Sequence, residues 1–219
     1  MAIRVFLSYS HKDKALAGEL KTALKEFGVR PFLAHDDITP SAQWKKEILT
    51  NLRKCRILMP ILTKSFKTST WTDQEAGVAL ALNKIIFPLK VHVDPHGFLA
   101  DFHALTCLNN RPFGTCWRIV EHLSTISGFR KQGRDCAITF FLSSNNFEKT
   151  RRRIQKLIAL RPFSSKQLAW IITEAAHNQN IYGCHAAESS MNKLLSDAKG
   201  RVSDHLIHNY RRAVKDWPW

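Results

Sequence analysis

The residues in this sequence best placed to do chemistry are Trp71 and Glu75. They lie four apart in the stretch Ser69-Thr70-Trp71-Thr72-Asp73-Gln74-Glu75-Ala76-Gly77-Val78-Ala79-Leu80, so on a helix they share a face. Ser69 and Thr70 are helix-starting residues, and the acids that follow are expected in the opening turn, where negative charge suits the helix dipole. Ala76, Val78, Ala79, Leu80 and Leu82 read as the buried remainder. A carboxylate held beside a large aromatic, at the start of a buried helix, could act on a cationic heterocycle. The plainer alternative is that Glu75 complements the dipole and Trp71 packs.

Other chemistries find less support. His92 and His96 are four apart, but Pro95 and Gly97 make the segment a loop and no third ligand is near, so no metal site is expected. The nine glycines are scattered and form neither a Walker loop nor a dinucleotide fingerprint. The five cysteines (55, 107, 116, 136 and 184) are odd in number and contain no Cys-x-x-Cys pair. They suit reduced thiols in a cytoplasmic protein better than a disulfide framework. No apolar run is long enough to cross a bilayer, and Ile3–Phe6 begins a strand rather than a signal peptide.

The elements that must position Glu75 alternate in type. Apolar runs at 3–8, 29–33, 56–62 and 84–91 read as strands. Between them, helical spacing appears in Leu16, Ala17, Leu20, Ala23 and Leu24, closed by Phe27-Gly28, and again in Trp44, Ile48, Leu49 and Leu52. The helix of Glu75 follows the third strand. A weaker element lies near 105–108, and Thr115–Ile126 reads as a closing helix. Strands that are apolar throughout and alternate with helices indicate a parallel sheet covered on both faces, an α/β, flavodoxin-like sandwich. Ligands of such sheets bind beyond the carboxyl ends of the strands. The loops 9–13, 32–40 and 63–75 should therefore meet at one end.

The chain carries a net charge of +15. Residues 1–128 hold 17 basic and 11 acidic side chains, and residues 129–219 hold 16 and 7. Such a balance admits an anionic nucleotide, an acidic partner or nucleic acid, but no nucleic-acid fingerprint accompanies it. The organisation read from composition is a first domain over 1–128, a linker or extended segment over 129–146, and a small, mainly helical module over 147–219. Arg130–Asp135 is the charged break, and Ala137–Leu142 reads as extended. The run Arg151-Arg152-Arg153 reads as a solvated face. Ser164 and Gln167 have the spacing of a capping box. The module is expected to mediate oligomerisation or recognise a partner; a helix-turn-helix is the alternative.

Three segments carry a resemblance. They are Phe6-Leu7-Ser8-Tyr9-Ser10-His11-x-Asp13, then Phe32-Leu33-Ala34-His35-Asp36-Asp37-Ile38-x-Pro40 with Trp44 beyond, then Ser69-x-Trp71-x-x-x-Glu75. In that order and spacing they resemble a Toll/interleukin-1 receptor (TIR) domain of the bacterial and archaeal type. The resemblance covers residues 1–128. It implies one of two classes. Some TIR domains are scaffolds that self-associate through the loop after the second strand, here Asp36, Asp37 and Ile38, and recruit a downstream effector or answer an upstream sensor. Others cleave the nicotinamide–ribose bond of NAD, and these carry a glutamate at the position of Glu75. Prokaryotic enzymes of this kind act in antiphage defence, by depleting NAD or by making a cyclic or modified ADP-ribose signal.

The chemistry explains why one carboxylate suffices. Nicotinamide leaves as a neutral ring without prior protonation, and positive charge builds on the ribose in an oxocarbenium-like transition state. A neighbouring carboxylate stabilises that charge. NAD is then a substrate, and no cofactor is expected. The resemblance also implies substrate contacts: Phe32 for the nicotinamide ring, Ser8, Tyr9 and Ser10 for ribose or phosphates, Asp37 from the loop that opens or covers the site, and Trp71 beside Glu75. Phe32 could equally be core, and Trp71 could serve only to pack behind Glu75. Many relatives have a basic residue directly after the tyrosine, where this chain has Ser10-His11.

Overall fold

The computed structural model describes residues 2–33, 44–107 and 111–218, and of Trp44 the backbone alone. The chain divides into two compact units, Met1–Ile119 and Val120–Trp219. Asp36, Asp37 and Ile38 lie outside the described residues.

The first unit is built on short parallel strands: β1 (Arg4–Ser8), β2 (Arg30–Leu33), β3 (Ile57–Leu62), β4 (Ile85–Ile86), β5 (Leu89–Lys90) and β6 (Leu105–Thr106). Their order is β2-β1-β3-β5-β6, with β4 also on β3, and every described pairing is parallel. Phe6 stands in register with Phe32 on one side and Leu58 on the other. All six residues of β3 are buried, as a strand covered on both faces requires. The expected single strand over 84–91 is two short ladders. Pro88 falls between them; it lacks the N–H that a continuous ladder needs.

Helices cover this sheet. In α1 (Lys14–Glu26) the buried residues Ala17, Leu20, Ala23 and Leu24 recur at helical spacing. Gly28, at φ 70°, takes the left-handed conformation that ends it. Next come α2 (Trp44–Lys54), the single turn α3 (Lys64–Lys67), α4 (Thr70–Ala81) and α5 (Pro112–Leu123). Ile48 and Leu52 of α2, Phe66 of α3, and Ala76 and Ala79 of α4 join Phe6, Leu58 and Leu62 in one core cluster. The boundary between the units falls inside α5.

The second unit is helical: α6 (Arg130–Leu142), α7 (Phe147–Ile158), α8 (Ser165–Ala175), the short α9 (Gln179–Tyr182), α10 (Glu188–Ala198) and α11 (Asp204–Lys215). The expected linker over 129–146 is mostly α6. Cys136, Ala137, Phe140 and Phe141 recur at helical spacing and are buried, and the break-like Arg130–Asp135 is its first half. Gly133 permits a close approach, since a Cβ there would stand 2.5 Å from the Ser124 backbone nitrogen. The capping box of Ser164 and Gln167 forms as spaced. Helix α8 packs against α6, α10 and α11 through Leu168, Ile171, Ile172 and Ala175. Arg153 departs from the solvated face expected for its run: it is buried, and its Nη1 donates to the Phe140 carbonyl at 2.7 Å and to Ser143 Oγ at 2.9 Å. Among the described residues, no helix is long and apolar enough to cross a membrane.

Candidate active site

The site lies at the carboxyl end of the sheet. Ser8 is the last residue of β1 and is buried between its neighbours. Glu75 comes from α4, which Ser69 opens without a side-chain cap bond. The start of α4 is anchored from inside instead: Thr72 Oγ1 donates to the Phe66 carbonyl at 3.0 Å and to the Ser69 carbonyl at 2.7 Å. With Thr70 as first residue, Asp73 falls in the opening turn and Glu75 one turn further in. The expected dipole role therefore passes to Asp73, and Glu75 points into the protein. There the Ser8 hydroxyl donates to Glu75 Oε2 at 2.5 Å.

This hydrogen bond is the only one that the Glu75 side chain makes among the described residues. Burial raises its pKa from 4.5 to about 7, against the opposing effect of the Ser8 hydroxyl, which favours the anion. The surroundings explain the direction. Glu75 lines a cavity of about 160 Å3 with Ile48, Leu49 and Leu52 of α2 and Trp71 and Val78 of α4, joined by the exposed Lys45 and Gln74. It is the only carboxylate among the described residues that line it. Trp71 is partly exposed, and Lys45 Nζ sits 5.9 Å from its ring centroid.

The expected site residues separate into groups. Ser8, Trp71 and Glu75 come together. Tyr9 and Ser10 are buried beyond β1 and do not line the cavity. Phe32 packs on Phe6, with ring centroids 5.3 Å apart, against the core cluster. Two features were not foreseen. One is the wall that α2 supplies through Ile48, Leu49 and Leu52. The other is Thr63, which follows β3; its Oγ1 donates to Asp13 Oδ2 at 2.5 Å and accepts from the Phe66 amide at 3.0 Å. It ties the turn after β1 to the turn after β3. For the first, the signal in the sequence is Leu49 beside Ile48 and Leu52, which widens the apolar stripe of α2.

A parallel α/β sandwich with a buried carboxylate at the carboxyl ends of its central strands defines the class. The family follows from sequence: the model of the TIR domain matches residues 5–119, more than half of the chain, and the chain belongs to the TIR-domain family. Among solved structures it is similar to the TIR domain of the Toll-related receptor TRR-2 from Hydra magnipapillata, at 18% identity and a TM-score of 0.47, covering 54% of this chain and 94% of that one. It is also similar to the TIR domains of the activated Roq1 resistosome recognising the effector XopQ, at 17% identity and a TM-score of 0.39, covering 73% of this chain and 97% of that one. No curated protein matches the chain.

Proposed function

We propose that this protein is an NAD nucleosidase of the prokaryotic TIR type, with Glu75 as its essential carboxylate. The observation that carries this reading is the burial of Glu75 in an apolar cavity with one hydroxyl partner. A charge so poorly matched by its own protein gains most from a cationic ligand. The cavity is also the right size for a single ring, since about 150 Å3 accommodates benzene and this one is about 160 Å3. Nicotinamide in NAD is both cationic and one ring wide.

In the reaction, the bond between the nicotinamide nitrogen and the ribose anomeric carbon breaks, and its electron pair leaves with nicotinamide. Glu75, as the anion, stabilises the positive charge left on the ribose. Water then attacks the anomeric carbon and loses a proton, giving ADP-ribose; attack by another nucleophile of the same molecule gives a cyclic product. Trp71 forms part of the wall beside the ring. Ser8 donates to Glu75, so in this reading it positions the carboxylate and favours its ionised form instead of touching substrate. Asp36, Asp37 and Ile38 would supply the assembly contact between copies. The setting is cytoplasmic antiphage signalling.

The test is nicotinamide release from NAD by concentrated protein, with Glu75→Gln alongside. The expected loss in the variant is about 1000-fold, the scale on which removal of a preorganised electrostatic partner acts. Equal rates from both proteins would remove Glu75 as the catalyst. No turnover by wild type, even when concentrated enough to assemble, would favour a TIR scaffold that only recruits a partner.

A further inference from the structure

The cavity beside Glu75 is lined by two opposite charges that do not meet. Glu75 is its carboxylate, and Lys45 is the one cation among the described residues that line it. No ion pair joins the two among those residues. They differ in depth: Glu75 is buried, whereas Lys45 is exposed and stands at the rim. What Lys45 does meet is Trp71. Its Nζ lies 5.9 Å from the ring centroid, within reach of a cation–π attraction, and that contact keeps the ammonium at the mouth of the cavity.

Helix α2 gains nothing from this cation. Lys45 is its second residue, and a positive charge in a first turn opposes the helix dipole; Glu47 is the residue there that suits it. The cations that follow β1 do not serve the cavity either, since neither His11 nor Lys12 lines it. Size then divides the ligand. A space of about 160 Å3 takes one ring, on the scale of about 150 Å3 for benzene. With the cationic nicotinamide ring beside Glu75, the remainder of NAD lies outside. The ribose comes first, and the diphosphate, with its negative charge, follows one ribose away from the ring. The exposed polar residues at the rim are Lys45 and Gln74, and of these only Lys45 is charged.

We propose that Lys45 is the diphosphate contact of this site, so that the cavity selects a phosphorylated nicotinamide nucleotide over the bare riboside. The inference rests on the reading of Glu75 as the NAD-cleaving carboxylate. The carboxylate within takes the cationic ring, and the ammonium at the rim takes the anionic part. The order of the two charges fixes which end of the dinucleotide enters. Trp71 acts here as a positioning residue, through its contact with Lys45.

The test compares NAD with nicotinamide riboside, which keeps the cationic ring and the ribose but has no phosphate. Nicotinamide release from each is measured with the full chain as wild type, Lys45→Ala and Lys45→Arg. Wild type prefers NAD in kcat/KM. In Lys45→Ala that preference falls about fivefold, through KM, the scale of a hydrogen-bonded charge pair at a wet rim; Lys45→Arg retains most of it. Raising the salt from about 50 to about 500 mM erodes the preference in wild type and hardly changes it in Lys45→Ala. A lysine that only packs on Trp71 would affect both substrates alike. Binding of both compounds to Glu75→Gln, with and without Lys45→Ala, is followed in parallel by ligand-observed NMR. Binding of NAD that depends on Lys45, without turnover by wild type, would remove Glu75 as the catalyst and still support the diphosphate contact. An unchanged preference in Lys45→Ala, equal losses for NAD and the riboside, or no binding of NAD would overturn the proposal.

Discussion

Glu75 in the sheet unit and Arg153 in the helical unit are buried to the same degree, each 7% exposed. Their surroundings treat the charge in opposite ways. Arg153 gives hydrogen bonds to the Phe140 carbonyl and to Ser143 Oγ, and its guanidinium carbon lies 3.7 Å from the Phe140 ring centroid. The guanidinium sits at the carboxyl-terminal end of α6, where a cation suits the helix dipole. Glu75 has one hydroxyl and a cavity. Burial alone therefore does not mark a functional residue. The difference lies in how much of the desolvation cost the protein itself offsets: the arginine is a structural cap, whereas the glutamate is left for something else to match.

The largest effect that would sharpen this contrast is on the structural side. Arg153→Met should destabilise the helical unit by about 3 kcal/mol, because it removes a charged donor from the buried end of α6 and leaves the Ser143 hydroxyl as the remaining side-chain donor to the Phe140 carbonyl. Urea unfolding followed by helical circular dichroism measures it. A neutral result would mean that Arg153 is no better matched than Glu75, and the contrast would fail.

On the other side, Ser8→Ala removes the group that favours the Glu75 anion. The pH profile of nicotinamide release, expected to rise through about 7 in wild type, should shift to higher pH. At neutral pH the rate should fall by about tenfold, or about 1.4 kcal/mol, with little change in KM. A fall in affinity without a shifted profile would show that Ser8 touches substrate instead. The smallest effect concerns the scaffold. Thr63→Val keeps the shape but removes the donor to Asp13, and should cost about 1 kcal/mol of stability in thermal melts. No loss would show that the link between the two turns carries no net stability.

How much of this is legible in the sequence depends on the range of the interaction. The apolar runs of β1, β2 and β3 and the spacing in α1 are local signals, and the strands and helix form where those signals lie. Glu75 stands out by its spacing from Trp71, and Ser164 with Gln167 by a local cap. Helix α6 is masked because its polar half looks like a linker and its Phe140-Phe141-Leu142 end looks like a strand. A helical clue is nevertheless present in Lys131 and Asp135, four apart and paired at 2.7 Å. The same aspartate accepts from Gln167 Nε2 at 2.7 Å, a contact that no local pattern announces. The Ser8–Glu75 and Thr63–Asp13 bonds likewise join residues far apart in the chain. The partners are visible in the sequence, but their pairing is not. Arg153 is hidden by its neighbours, because Arg151 and Arg152 do form exposed pairs with Glu148.

The most direct test measures stability and turnover in the same preparations of wild type and Glu75→Gln from about pH 4.5 to 8.5. Unfolded, Glu75 titrates near 4.5; folded, it titrates near 7. Between those values the unfolded chain releases a proton that the folded chain retains, so folding stability falls as pH rises, and the loss is complete above the folded value. It amounts to about 3 kcal/mol, and glutamine is spared it. The expected result is that Glu75→Gln matches wild type near pH 4.5, is the more stable protein at pH 8, and releases nicotinamide from NAD about 1000-fold more slowly. Parallel stability curves, or a variant that turns NAD over at the wild-type rate, would contradict the view of Glu75 as a carboxylate left unmatched for catalysis.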